Sequence, residues 1–314
     1  MPARRPSREP LRLRALGVCA VVATLFLSAC TASGQPEPTI AAGASPGISG
    51  QGATASVPLE TSQTSTKSPV YWLGRARDGV YLYREFRDST GTENPVAKAL
   101  RLMMSVKPLD PNLFTPWQAP KKLAASISGR NVITVDVSSD AFNSSVDEQT
   151  AQLAVQQLVY TATAAAASAG VIDTGQPVQV MLLVDGRTDQ LAFNRVQLGQ
   201  LMQRDPSMVA PMWIIDPQAG TTSHAGQLAV YGRTTSPGTQ VFWQVSRADV
   251  KGEKSSPVAS GRTDSAGPGP NVGQFHFSVN LPAGKYVLRV FSSDPGTGDA
   301  AAAAWDSKDV TVAP

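Results

Sequence analysis

Asn131-Val132-Ile133-Thr134-Val135-Asp136-Val137, then an apolar run opened by Ser145-Val146-Asp147-Glu148 and closed by Gly170, then Pro177-Val178-Gln179-Val180-Met181-Leu182-Leu183-Val184 form the stretch that decides the fold. The first segment alternates, with Ile133, Val135 and Val137 on one face and Thr134 and Asp136 on the other, as a half-buried strand does. Ser145 and Glu148 stand at capping-box spacing, so a helix is expected to begin at Ser145. Ala151, Ala154, Val155, Leu158, Val159 and Ala162 then recur at helical spacing, and the many small residues let the helix lie close on a sheet. Pro177 to Val184 is a second strand, closed by the turn Asp185-Gly186.

Working toward the N-terminus, Val70 to Leu73 and Gly79 to Phe86 are apolar and aromatic runs that predict a hairpin. Asn94-Pro95 puts a capping side chain before a proline at the first helical position. Val96, Ala99, Leu100, Met103 and Met104 follow at helical spacing, which makes the two methionines core residues. Pro108, Pro111, Pro116 and Pro120 predict an irregular loop carrying Leu113, Phe114 and Trp117, aromatics that either dock beneath it or serve a partner. A further strand is expected in Leu123 to Ile127. Residues 69–194 thus read as an α+β domain, a mixed α/β sandwich.

Beyond it the period changes. Residues 195–211 are polar enough to link two halves, and 212–314 carry short strands at Trp213, Leu228, Gln240, Phe275, Tyr286 and Val310, separated by Gly, Pro, Ser and Asp clusters. About seven strands without a helical pattern predict an all-β sandwich of immunoglobulin type.

At the chain start, five of the 27 basic residues and one of the 24 acidic ones fall within residues 1–14, which leaves 22 basic against 23 acidic thereafter. That near-neutral body argues against nucleic-acid binding. Ala15 to Ala29 is apolar, uncharged and shorter than the roughly 20 residues a membrane span needs. Behind an arginine-rich start it reads as a signal peptide, residues 1–29. Leu27-Ser28-Ala29-Cys30 resembles the lipobox of bacterial lipoproteins, which implies cleavage between Ala29 and Cys30, acylation of Cys30 (palmitate among the acyl chains) and attachment to the extracytoplasmic face of the cell membrane. Residues 30–68, rich in Gly, Ala, Ser, Thr, Gln and Pro, read as a disordered tether with a reach of roughly 35 Å.

Several stretches together carry a family resemblance: Ala97 to Met104 with the proline-rich loop, Val132 to Ser138, Gln156-Gln157-Leu158-Val159-Tyr160-Thr161, and Val180 to Gly186. They resemble the GerMN domain of sporulation and spore germination lipoproteins over roughly 120 residues. Ile215-Asp216-Pro217, Leu228 to Arg233 and Pro282 to Ser293 resemble the immunoglobulin-like domain that accompanies it. The resemblance implies a non-catalytic envelope lipoprotein whose partners are envelope proteins or peptidoglycan and other wall polymer, with no cofactor and no catalytic residues to carry over.

Active-site patterns are weak. Gly43-Ala44-Ser45-Pro46-Gly47 has nucleophile-elbow form, but lies in the tether without a strand before it or a helix after it. His224, expected in a loop, and His276, expected to face solvent from a strand, have no ligand-spaced neighbours for a metal or a triad. Asp136, Asp147, Asp185 and Asp189 would be the carboxylates of a wall hydrolase, but strand-face, helix-start and turn positions explain them more simply. Trp117, Phe242 and Trp243 are the candidates for partner or wall-carbohydrate contact.

Overall fold

The computed structural model describes residues 66–129, 131–224, 226–248, 257–269, 272–296 and 304–314. The expected signal peptide, the cleavage site Ala29-Cys30 with its lipidated cysteine, the Gly43 to Gly47 motif and the tether up to residue 65 lie outside these residues.

The hairpin is present as β1 (Lys67–Arg75) and β2 (Val80–Asp88), antiparallel along their whole length from Lys67 opposite Asp88 to Arg75 opposite Val80. Lys67 and Ser68, expected at the end of the tether, open β1. Helix α1 (Pro95–Ser105) starts as its cap dictates: Asn94 Oδ1 accepts from the amides of Val96 at 2.9 Å and Ala97 at 3.3 Å. Val96, Ala99, Leu100, Met103 and Met104 are all buried. The proline-rich loop is less irregular than expected, because β3 (Leu113–Phe114) adds to β1 opposite Leu73 and Gly74.

The deciding stretch forms a second sheet, ordered β4 (Leu123–Ile127), β5 (Val132–Val137), β6 (Gln179–Val184). β4 pairs antiparallel with β5, and β5 pairs parallel with β6. Parallel neighbours need a crossover, supplied by α2 (Glu148–Ser168). This helix begins later than the Ser145 box predicts. Its N-cap is Asp147, whose Oδ1 accepts from Thr150 N at 2.7 Å, so Ser145 lies outside the helix. The ordering is physical: a carboxylate at the cap both accepts the orphan amide and meets the positive end of the helix dipole, which a serine hydroxyl does less well. Gly170, at φ +66°, ends the helix as expected, and Val171 N donates back to Ala166 O. A two-residue hairpin, β7 (Leu191–Ala192) with β8 (Val196–Gln197), follows.

The C-terminal part holds β9 (Met212–Asp216), β10 (Thr221–His224), β11 (Gly226–Thr234), β12 (Gln240–Arg247), β13 (Ala259–Asp264), β14 (Ala266–Gly269), β15 (Val272–Leu281), β16 (Gly284–Phe291) and β17 (Trp305–Ala313). They form a five-stranded sheet ordered β10-β17-β16-β12-β13 and a four-stranded sheet ordered β14-β15-β11-β9. Val241, Val245, Tyr286, Leu288, Val290, Val310 and Val312 of the first sheet close on Leu228, Val230, Phe275, Val279 and Leu281 of the second. Each such side chain, fully buried, contributes about 1.5 to 3 kcal/mol of transfer free energy. Gly232 is required here because a Cβ at that position would lie 2.0 Å from Phe275 Cζ.

Two hydrophobic cores result, and β9 belongs to both. Met212 and Ile214 join the sandwich core, while Trp213 and Ile215, pointing to the other face, join the core built on both helices. Val209 and Ala210, from the expected linker, also lie in that first core, and Ala210 N donates to Leu82 O. Among the described residues no helix is long and apolar enough to cross a membrane.

Candidate functional site

The sequence motif Gln156 to Thr161 lies in the middle of α2, and its polar members have structural work. β3 covers β1 only at Leu73 and Gly74, which leaves the backbone of Tyr71 without a strand partner on that side. Thr161 Oγ1 accepts from Tyr71 N at 3.1 Å, and Gln157 Nε2 donates to Tyr71 O at 2.8 Å. Two buried side chains thus replace a missing strand. Gln156 does the same for the chain beyond β8, donating to Gln203 O and accepting from Asp205 N. Tyr160 packs on Tyr71 with ring centroids 5.0 Å apart, and its hydroxyl donates to Asp205 O.

The most unusual chemistry lies where β17 meets the first core. Lys308 Nζ stands 2.7 Å from Asp110 Oδ2 and 3.7 Å from Asp306 Oδ2, and all three side chains are at most 9% exposed. Asp306 also accepts from Ile214 N, and Asp110 from the backbone and side-chain nitrogens of Asn112. Next to them Glu85 accepts from Leu109 N at 2.9 Å and Asp110 N at 2.8 Å. Gln218 Oε1 accepts from Phe86 N across the same seam.

Burial by itself would depress the Lys308 ammonium, but the charges of Asp306 and Asp110 outweigh it and hold it above the ordinary lysine range. Burial raises Asp306, with Lys308 and the Ile214 amide working against the rise. Burial likewise raises Glu85, offset by the amides of Leu109 and Asp110. The phenol of Tyr83 is pushed up by burial, with the charge of Asp306 adding to it. A buried lysine clamped between two aspartates and stripped of solvent fastens; it is not placed to move protons to a ligand.

Above this seam opens a cleft of about 330 Å³ between the β1–β2 turn and the start of β17, lined by Arg77, Asp78, Tyr83, Pro211 and Trp305. Trp305 is 45% exposed, the largest apolar side chain so displayed among the described residues. No sequence motif contains these residues. One signal did exist: Asp306 and Lys308 are in phase with Val310 and Val312, so a period of two already marks them as inward-facing charges.

The three aromatic candidates are not brought together. Trp117 is buried at 2% exposure, its Nε1 donating to Ala154 O and its ring packed on Phe142 and Phe193, so it presents no surface to a partner. Trp243 points inward at the side of the sandwich and stacks on Phe277 with centroids 4.6 Å apart. Phe242, one residue earlier, points to the opposite, outer face. His224 lies on edge strand β10, where a loop was expected, and is exposed. His276 faces solvent on β15 and stacks on Tyr231. Asp136 accepts from Gly186 N and Asp185 from Ser139 N, which gives both a turn-closing role. Among the described residues no group of three or more His, Cys, Asp or Glu side chains is placed to hold a metal ion.

Residues 69–190 match the family model described as Germane, sporulation and spore germination. No curated protein matches the chain. Among solved structures, the first GerMN domain of the sporulation protein GerM from Bacillus subtilis aligns at 15% identity with a TM-score of 0.35, covering 44% of this chain and 97% of that one. The tandem GerMN domains of the same protein align at 13% identity with a TM-score of 0.36, covering 68% of this chain and 61% of that one.

Proposed function

We propose, from the match of residues 69–190 to the family model of sporulation and spore germination, that this protein is a non-catalytic lipoprotein of the cell envelope that binds and organises envelope or wall components. Its C-terminal β-sandwich is taken as immunoglobulin-like, and Cys30 as the lipidated anchor on the extracytoplasmic face of the membrane. The observation that supports an adaptor most is the seam. A shared strand, β9, and a buried Asp110–Lys308–Asp306 cluster hold the Germane domain and the sandwich as one body, so two binding surfaces keep a set geometry. Gln157 and Thr161 are absorbed by β1 and not displayed to a ligand.

In-cell crosslinking of the full-length chain followed by affinity capture is expected to recover a small set of envelope proteins or wall fragments. Recovery of abundant neighbours alone, or turnover of purified sacculi abolished by Asp136→Ala or His276→Ala, would overturn the reading. Metabolic labelling with a fatty acid is expected to label the wild type and not Cys30→Ser.

A further inference from the structure

The outer face of the five-stranded sheet carries a row that crosses four strands. Arg262 on β13 is opposite Phe242 on β12, Phe242 is opposite Phe291 on β16, and Phe291 is opposite Trp305 on β17. Directly opposed residues share a face. One step along the strands a polar row runs parallel to it: Ser260, Gln244, Arg289 and Ser307. Arg262, Arg289 and Trp305 are exposed, and Phe242 and Phe291 half-buried, so the row faces solvent. At the usual strand spacing the row from Arg262 to Trp305 is about 14 Å long, and its three aromatics span about 10 Å of that.

Both ends of the row open into concavities. One is lined by Phe242, Ser260, Arg262 and Asp294. The other is the cleft beside Arg77, Asp78 and Trp305. A track continued at each end suits an extended chain better than a compact ligand. The two rows carry the guanidiniums of Arg262 and Arg289 and no carboxylate, while exposed Asp264 and Asp309 stand one step outside them and Arg77 and Asp78 lie together in the cleft beside Trp305.

We infer that this face binds a polysaccharide chain carrying carboxylates. The apolar faces of successive sugar rings lie on Trp305, Phe291 and Phe242; Gln244, Ser260 and Ser307 meet hydroxyls; Arg262 and Arg289 take the carboxylates in forked hydrogen bonds. The inference deepens the proposed wall-binding function and names a surface and a ligand class for it.

Affinity electrophoresis of the full-length chain in native gels tests it, with polygalacturonate as the carboxylated probe, dextran as the neutral one and a single-stranded oligonucleotide as the competing polyanion. Polygalacturonate is expected to retard the wild type, and Trp305→Ala and Phe242→Ala to weaken that binding about tenfold each, with Trp305→Tyr retaining most of it. Arg262→Gln with Arg289→Gln is expected to weaken binding to polygalacturonate. Should Phe242→Ala fail to fold, exposed Trp305 decides alone. No retardation by polygalacturonate, equal retardation by dextran, stronger binding of the oligonucleotide, or binding indifferent to Trp305→Ala overturns the inference. If glycan binding fails while crosslinked envelope partners are still recovered, the surface assignment falls and the adaptor reading stands.

Discussion

Helix α2 and strand β17 both bury polar side chains, but they do so with opposite chemistry. α2 uses neutral groups, Gln157 and Thr161, each bonded to a backbone group that would otherwise be unpaired. β17 uses charges, Lys308 and Asp306, which pair with each other and with groups far away in the sequence, Asp110 being 198 residues from Lys308. The neutral contacts complete a domain from within. The charged ones join two hydrophobic cores, and their balance depends on every partner being present. Removing a member should therefore be far more damaging at the seam than in the helix.

Lys308→Met puts that contrast under the greatest load. It leaves Asp110 and Asp306 buried without their cation, and a loss of about 3 to 5 kcal/mol in chemical denaturation is expected. Adding Asp110→Leu and Asp306→Leu should recover much of that loss, as apolar replacement of whole buried clusters often does. A loss under about 1 kcal/mol for Lys308→Met would mean that water reaches the seam. The pH dependence sharpens the point. Lys308 is held above its ordinary value of 10.5, so its stabilisation is complete below that pH and disappears as pH rises through the higher folded value. Raised Asp306 acts in the same direction from the carboxylate range upward. Tyr83, and Tyr160 pushed up by burial to about 12, also lose stability in alkali. The comparison of wild type with Lys308→Met above pH 10.5 isolates the lysine, because only the wild type retains its share of the fall.

Gln157→Leu is the matching test within the helix. It removes the donor to buried Tyr71 O and the acceptor for half-buried Thr115 Oγ1, and about 1 to 3 kcal/mol should be lost. Asn94→Ala, which strips the first helix of its cap, is expected to cost about 1 kcal/mol. Thermal melts of the two variants against wild type rank them, and an Asn94→Ala loss above that of Gln157→Leu would invert the comparison.

What could be read in advance follows the range of each interaction. β5, α2 and β6 were visible because a period of two gives way to helical spacing and back, and Asn94-Pro95 and Gly170 announce their roles locally. Ser145 misled because two N-cap signals overlap within three residues, and the carboxylate of Asp147 takes the amide of Thr150. The site was much less legible. Trp117, Phe242 and Trp243 stand out in the sequence only as aromatic residues in loops and strands, yet which face of a strand an aromatic occupies depends on register: Trp243 turns inward and Phe242 outward. Trp305 escaped because β17 was recognised only from Val310 onward, although the alternation of Asp306, Lys308, Val310 and Val312 extends the strand back to it. The pairing of Lys308 with Asp110 has no local trace at all.

The smallest expected effect closes the scale of charge contributions. Arg101 and Glu93 form an ion pair at 2.7 Å, shorter than most contacts at the seam's margin, but both side chains are more than a third exposed. The hydrogen bond from Arg101 holds the Glu93 carboxyl below its ordinary range, so its contribution is present at neutral pH and is lost as pH falls through the lowered value. Water and salt screen such a pair, and Glu93→Gln should cost no more than about 0.5 kcal/mol, vanishing in 1 M salt. Equal distances at Lys308–Asp110 and Arg101–Glu93 thus predict very unequal losses, and the quantity that separates them is solvent access. A Glu93→Gln loss as large as that of Lys308→Met would show that contact distance, not burial, governs charge in this protein.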